Sequence, residues 1–167
     1  GWRLEIADLP ELTDISSARC FDLTEQHCLL PQLGAGALRD AKVNGFYTIK
    51  DYQEILLAAK AHFIEVIPSF DMPGHSRAAI VAMEQRFKHY NALNQPQLAK
   101  QYRLIDPLDA TVYSSIQHYD DNTINVCQDS SFAFVQKVLD DIQSMAKLIA
   151  EDRQGNEIKT NMDEWKK

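Results

Sequence analysis

Apolar positions along this chain follow two different rhythms. From Thr48 to His62, residues Tyr52, Ile55, Leu56 and Ala59 recur on one helical face, behind a capping-box-like Thr48/Asp51 start. The run Phe63-Ile64-Glu65-Val66-Ile67 follows at once. It is short, rich in β-branched residues and closed by Pro68, which predicts a buried strand. A second helix is expected from Ser76, with Ala79, Ile80, Met83 and Phe87 on its apolar side, fading near Tyr90. A third should begin at Asp129 or Ser130 and carry Val135, Val138, Leu139, Ile142, Met145 and Ile149. After a polar turn at Glu151–Glu157, Ile158-Lys159-Thr160 opens another strand.

Two stretches have no sustained period: Leu9–Lys42, broken by Pro10, Pro31, Gly34 and Gly36, and Tyr102–Gln128, rich in Asp, Asn, Ser and Tyr. A long loop in a compact domain is usually functional or stapled. The order of loop, helix, strand, helix, long loop, helix, strand reads as βαβ units on a parallel sheet, an α/β fold. No internal repeat or low-complexity tract interrupts it.

Composition narrows the function. The chain has 167 residues, 45% hydrophobic and 25% charged, with a net charge of −7. That acidity, with a pI near 5.1, argues against a nucleic-acid partner, because phosphate binding needs a basic footprint. No apolar run approaches the roughly 20 residues of a membrane-crossing helix. The chain opens mid-pattern, at Gly1-Trp2-Arg3-Leu4-Glu5-Ile6, and is expected to be a piece of a longer protein.

Candidate chemistry is concentrated just past the predicted strand, at Asp71-Met72-Pro73-Gly74-His75. In barrels of parallel strands, reactive groups sit beyond the C-terminal strand ends, so Asp71 and His75 are a candidate site. Taken alone, the same residues suit a turn, with His75 merely exposed. A metal site is a third option, but two ligands are too few. Of the three cysteines, Cys20 and Cys28 either close a small loop or remain two thiols. Cys127 is expected to be a small buried hydrophobe. His62, His89 and His118 read as surface or loop residues, and Tyr113, Tyr119, Asp120 and Asp121 as an acidic loop without an assigned role.

Several motifs, in order, resemble a known family. They are Gly1-Trp2-Arg3-Leu4-Glu5-Ile6, Tyr47 to Ile55, Ile64-Glu65-Val66-Ile67-Pro68 and Asp71-Met72-Pro73-Gly74-His75. Together they are similar to family 20 glycoside hydrolases, the β-N-acetylhexosaminidases. The stretches Arg19-Cys20 to Cys28-Leu29-Leu30-Pro31-Gln32-Leu33-Gly34 and Arg103-Leu104-Ile105-Asp106-Pro107 resemble the bacterial chitobiase branch.

The resemblance implies a (β/α)₈ TIM barrel, which typically needs about 250 residues. This chain would hold roughly its second to fourth βα units. Residues 1–160 are then part of a catalytic barrel and residues 161–167 an uncertain tail, with the remaining strands outside this chain. It also implies that Cys20 and Cys28 are paired, which points to a periplasmic or secreted setting. The implied partner is an N-acetylhexosamine-containing oligosaccharide, with no cofactor and no metal. The implied reaction releases terminal N-acetyl-β-D-hexosamine with retention, assisted by the substrate's own acetamido group.

Residue roles follow motif by motif. Asp71 and His75 match a supporting hydrogen-bonded pair beside the catalytic acid. In the family an Asp-Glu pair ends the fourth strand; its Asp orients the acetamido group and its Glu is the general acid. Asp163-Glu164 stands near that place, but the histidine and both glycines that precede the family's pair are missing. Either the strand is shortened internally or this is a charged solvated tail, the reading favoured here. Ser69 departs from the family's usual glutamate. Trp2 either stacks on a sugar ring or packs the loop above the barrel. The alternative for the whole chain is an inactive barrel remnant lacking its acid-bearing strand, with exposed sheet edges prone to aggregate.

Overall fold

The computed structural model describes residues 2–21, 27–31, 38 and 40–151, and for 148–151 the backbone only. Five helices are present among them: α1 (Glu11–Asp14), α2 (Ile49–Ala61), α3 (Arg77–Ala92), α4 (Pro96–Lys100) and α5 (Asp129–Glu151). Two isolated parallel bridges, Leu4 to Tyr47 and Arg19 to Leu29, join the extended segments.

α2 starts where its sequence predicts. The Thr48 hydroxyl accepts from Asp51 N at 3.1 Å, and Thr48 N donates to the Asp51 carboxylate at 2.8 Å, closing a reciprocal capping box. Hydrogen bonds from the Thr48 hydroxyl and then its amide hold the Asp51 carboxyl below its usual range. Glu5 accepts from Ile49 N at 2.9 Å, which ties this helix start to the Leu4–Tyr47 bridge.

α3 also falls where expected, and buries Ala79, Ile80 and Met83. Its N-cap residue Ser76 does not cap it, because the hydroxyl donates backwards into the preceding loop. Arg103 fixes the outer face with a two-pronged contact to Glu84, at 2.7 and 2.9 Å, while its guanidinium lies 3.9 Å over the Phe87 ring. Arg86 reaches Glu11 of α1 at 3.3 Å and stacks on Tyr90.

α5 presents Phe134, Val138, Ile142 and Met145 to a core shared with Ile6, Leu9, Leu12, Ile80, Met83, Leu104 and Ile124. Val135 packs at its edge, while Leu139 faces outward, so the expected stripe is narrower than drawn. Lys137 binds both Asp8 and Asp141, joining α5 to the N-terminal segment. The hydrogen bond to Asp8, then that to Asp141, raises the Lys137 ammonium above the usual lysine range.

The expected strand at Phe63–Ile67 is a correction. Among the described residues no segment pairs with it, and Phe63 and Ile67 are 100% and 76% exposed. A run apolar on both faces suits a strand inside a parallel sheet, but its ladder needs neighbours. Two other expectations change. The irregular stretch before Lys42 contains α1 and a bridge, and the polar stretch after Asn91 contains α4. Cys127 is exposed, not buried. The strand expected at Ile158–Thr160 lies outside the described residues.

Candidate functional site

The loop joining Phe70 to α3 carries the candidate pair. Asp71 Oδ2 faces His75 Nδ1 at 3.5 Å, longer than a direct charged hydrogen bond, and both side chains are well exposed. His75 holds a left-handed backbone at φ 56, next to a cis Met72–Pro73 bond. A non-glycine residue there costs energy and persists only when its surroundings hold it. The Ser76 hydroxyl lies 3.0 Å from the carbonyls of both Asp71 and Gly74, closing the loop on itself.

Asp71, His75 and Trp2 line one cleft of about 680 Å³, together with Ser69, Arg19, Tyr119, Asp120 and Asp121. Trp2 stacks on Phe70 with ring centroids 5.7 Å apart and meets Phe134 edge-on at 6.4 Å. Its indole N–H donates to the Leu4 carbonyl. One ring face is thus engaged by protein, and the residue forms a wall of the cleft.

The Cys20–Cys28 disulfide is formed, with Cα atoms 6.0 Å apart. Beside it, Cys20 N donates to Leu29 O and Leu29 N to Ala18 O, so the staple and the bridge brace the same turn. Leu29, Leu30 and Pro31 continue from that turn into the cleft wall. Arg19, 8% exposed, lines the same side. Burial, and then the positive charges of Arg3 and Arg77, hold its guanidinium below the ordinary arginine value.

Residues that sequence reasoning left without a role come in from the far side. Arg77 Nε lies 2.8 Å from Asp121 Oδ2. Ser76 N donates to the Asn122 carbonyl at 2.9 Å, and Ile124 N to the Pro73 carbonyl at 3.0 Å. These groups lie more than 40 positions from the loop they hold, and no local pattern announces them. Asp163 and Glu164 lie outside the described residues. Among the described residues, no group of three or more His, Cys, Asp or Glu side chains is arranged to hold a metal ion.

Comparison with known proteins places this arrangement. Residues 1–167 match the profile described as "Glycosyl hydrolase family 20, catalytic domain". The chain is 56% identical over 160 residues to beta-hexosaminidase B of Pseudoalteromonas piscicida, covering 96% of this chain and 20% of that protein. It is 47% identical over 146 residues to the N,N'-diacetylchitobiase of Vibrio harveyi, covering 87% of this chain and 16% of that protein. Among solved structures, it is similar to the GH20 exo beta-N-acetylglucosaminidase from Vibrio harveyi in complex with N-acetylglucosamine. That likeness has a TM-score of 0.68 at 36% identity, over 87% of this chain and 19% of the other. The chain therefore spans about a fifth of the length of these relatives. Its ordered motifs, its fold and these matches agree: the chain belongs to glycosyl hydrolase family 20 and lies within that family's catalytic domain.

Proposed function

We propose that this chain is part of a β-N-acetylhexosaminidase barrel, roughly its second to fourth βα units. The enzyme would release terminal non-reducing N-acetyl-β-D-hexosamine from chitooligosaccharides or related glycans. The observation that carries the reading is the Asp71–His75 contact at the mouth of a cleft, in a chain that matches the family throughout.

In this reading the sugar's acetamido oxygen attacks the anomeric carbon while an acid protonates the departing oxygen, and the product is an oxazolinium ion. Water then opens that ion with net retention. An intramolecular nucleophile loses no entropy of approach, and a nearby carboxylate stabilises the cation. Asp71 and His75 are the supporting pair: the carboxylate orients the imidazole and favours its Nδ1–H form. Asp163 is the candidate acetamido-orienting residue, Glu164 the candidate acid, and Trp2 a candidate wall of the sugar site. The disulfide favours a periplasmic or secreted setting.

The test is hydrolysis of a chromogenic N-acetyl-β-glucosaminide by the 167-residue chain and by its Glu164→Gln and Asp71→Asn variants. Activity lost in Glu164→Gln supports the acid assignment, and a reduced rate in Asp71→Asn supports the pair. A second reading, that the isolated chain is an inactive barrel portion, is favoured by the Phe63–Ile67 run, which has no strand partner among the described residues. A folded parent without activity would select it.

A further inference from the structure

We propose that Tyr113 and Asn122 are positioning residues for the Asp71–His75 pair. The inference rests on the reading of that pair as part of the hydrolase site. The two residues reach the pair through the backbone of its loop and touch neither side chain of it.

Asn122 is 6% exposed, and its polar atoms are engaged on two sides. The Tyr113 hydroxyl donates to Asn122 Oδ1 and accepts from Asn122 N at 3.0 Å, so one phenol grips both the side chain and the main chain. Thr123 Oγ1 adds a contact to the same oxygen at 3.3 Å. The Asn122 carbonyl accepts from Ser76 N at 2.9 Å. Ser76 in turn holds the carbonyls of Asp71 and Gly74 through its hydroxyl. Two positions on, Ile124 N donates to the Pro73 carbonyl, and Ile124 is itself anchored in the core. Segment 122–124 therefore clasps the loop at both ends of the turn that places His75 in its left-handed conformation.

This clasp has little redundancy. The side chains of Asp71 and His75 are well exposed, so packing does little to fix them. Among the described residues, what remains are the Ser76 hydroxyl contacts within the loop, the backbone bonds to Asn122 and Ile124, and the Arg77–Asp121 contact beside them. Without the Tyr113 hydroxyl, Asn122 N loses its acceptor and Asn122 Oδ1 keeps only the longer contact from Thr123, and a buried donor left unsatisfied destabilises the position of its segment. Removing the Tyr113 hydroxyl should therefore loosen the loop while leaving the core helices intact.

The experiment uses the ¹⁵N-labelled 167-residue chain and its Tyr113→Phe variant, with Asn122→Ala breaking the same bond from the other side. Three signals are read: amide exchange, the His75 ring nitrogen shifts and, where the parent is active, kcat and KM. The expected result is at least tenfold faster exchange at Ser76 and Ile124, with Met83 and Ile142 unchanged. The His75 ring shifts should move away from the Nδ1–H pattern, and kcat should fall while KM changes little. Unchanged exchange at Ser76 and Ile124 would overturn the proposal. So would equal loss of protection at Met83 and Ile142, because the effect would then be on the whole fold. A parent that hydrolyses nothing counts against the functional reading alone, since the amide and ring signals still decide whether Tyr113 holds His75.

Discussion

Arg77 Nε lies 2.8 Å from the Asp121 carboxylate, and this contact joins the first turn of α3 to a loop more than 40 positions away. It stands beside the backbone bonds that hold the Asp71–His75 loop, on the rim of the same cleft. Both side chains are partly exposed, so the contact is screened, and such pairs contribute about 0.2–1 kcal/mol. Asp121→Asn should lower stability by no more than that in urea unfolding, with the difference fading in 0.5–1 M salt (on the order of a 3–5 Å screening length). A loss that persists at high salt would mean that Asp121 acts through hydrogen bonding rather than charge.

The disulfide closes a short loop of sequence separation 8. On the chain-entropy scale, such a loop stabilises by about 2.5 kcal/mol. Cys28→Ser, or reduction with dithiothreitol, should lower Tm by about 5–10 °C. Because Leu29 to Pro31 form part of the cleft wall, reduction should also speed amide exchange at Leu29. Equal melting curves with and without reductant would contradict this.

The Asp8–Lys137–Asp141 contacts make a signed pH prediction. Asp8 has a lowered folded pKa, chiefly from its hydrogen bond to Lys137. Its contribution is therefore present above the ordinary aspartate value of about 3.9 and is lost as pH falls through the lower folded value. Lys137 is raised, so its contribution is present below the ordinary lysine value and is lost only above its folded value, in strongly alkaline solution. Asp8 is largely exposed, which limits its share to below about 1 kcal/mol. Lys137→Met should flatten the stability profile between about pH 5 and pH 2 relative to the parent. A profile as steep as the parent's would place the acid sensitivity elsewhere.

Phe63 and Ile67 are exposed without packing partners among the described residues. Phe63→Ser and Ile67→Thr should therefore change unfolding free energy by no more than about 0.5 kcal/mol while reducing light scattering at high concentration. Destabilisation near 2 kcal/mol or more, as for a buried aromatic, would show that the run is covered in solution.

Much of the fold was legible in the sequence because it is local. Thr48 and Asp51 sit three positions apart, so the start of α2 is decided within one turn of chain. Ala79, Ile80 and Met83 announced the buried face of α3 by their spacing, and Val138, Ile142 and Met145 that of α5. The motif Asp71 to His75 was legible as a loop, and its two side chains do face each other on one cleft.

Less was legible where partners are distant. The sequence of Phe63–Ile67 states that the run is fit for burial in a sheet, and only the tertiary structure decides whether strands lie beside it. Tyr113, Tyr119, Asp120 and Asp121 read as an acidic loop without a role, since nothing near them in sequence signals that Asp121 meets Arg77 or that Tyr113 holds Asn122 against Ser76. Trp2 showed an aromatic face, and folding decided that Phe70 covers part of it. The sequence by itself thus determined the α2 cap and the helical periodicities, all set by contacts within a few residues. The tertiary structure decided which segments hold the Asp71–His75 loop and which apolar run is left exposed among the described residues. Those outcomes depend on hydrogen bonds and packing between segments that meet only once the chain has folded.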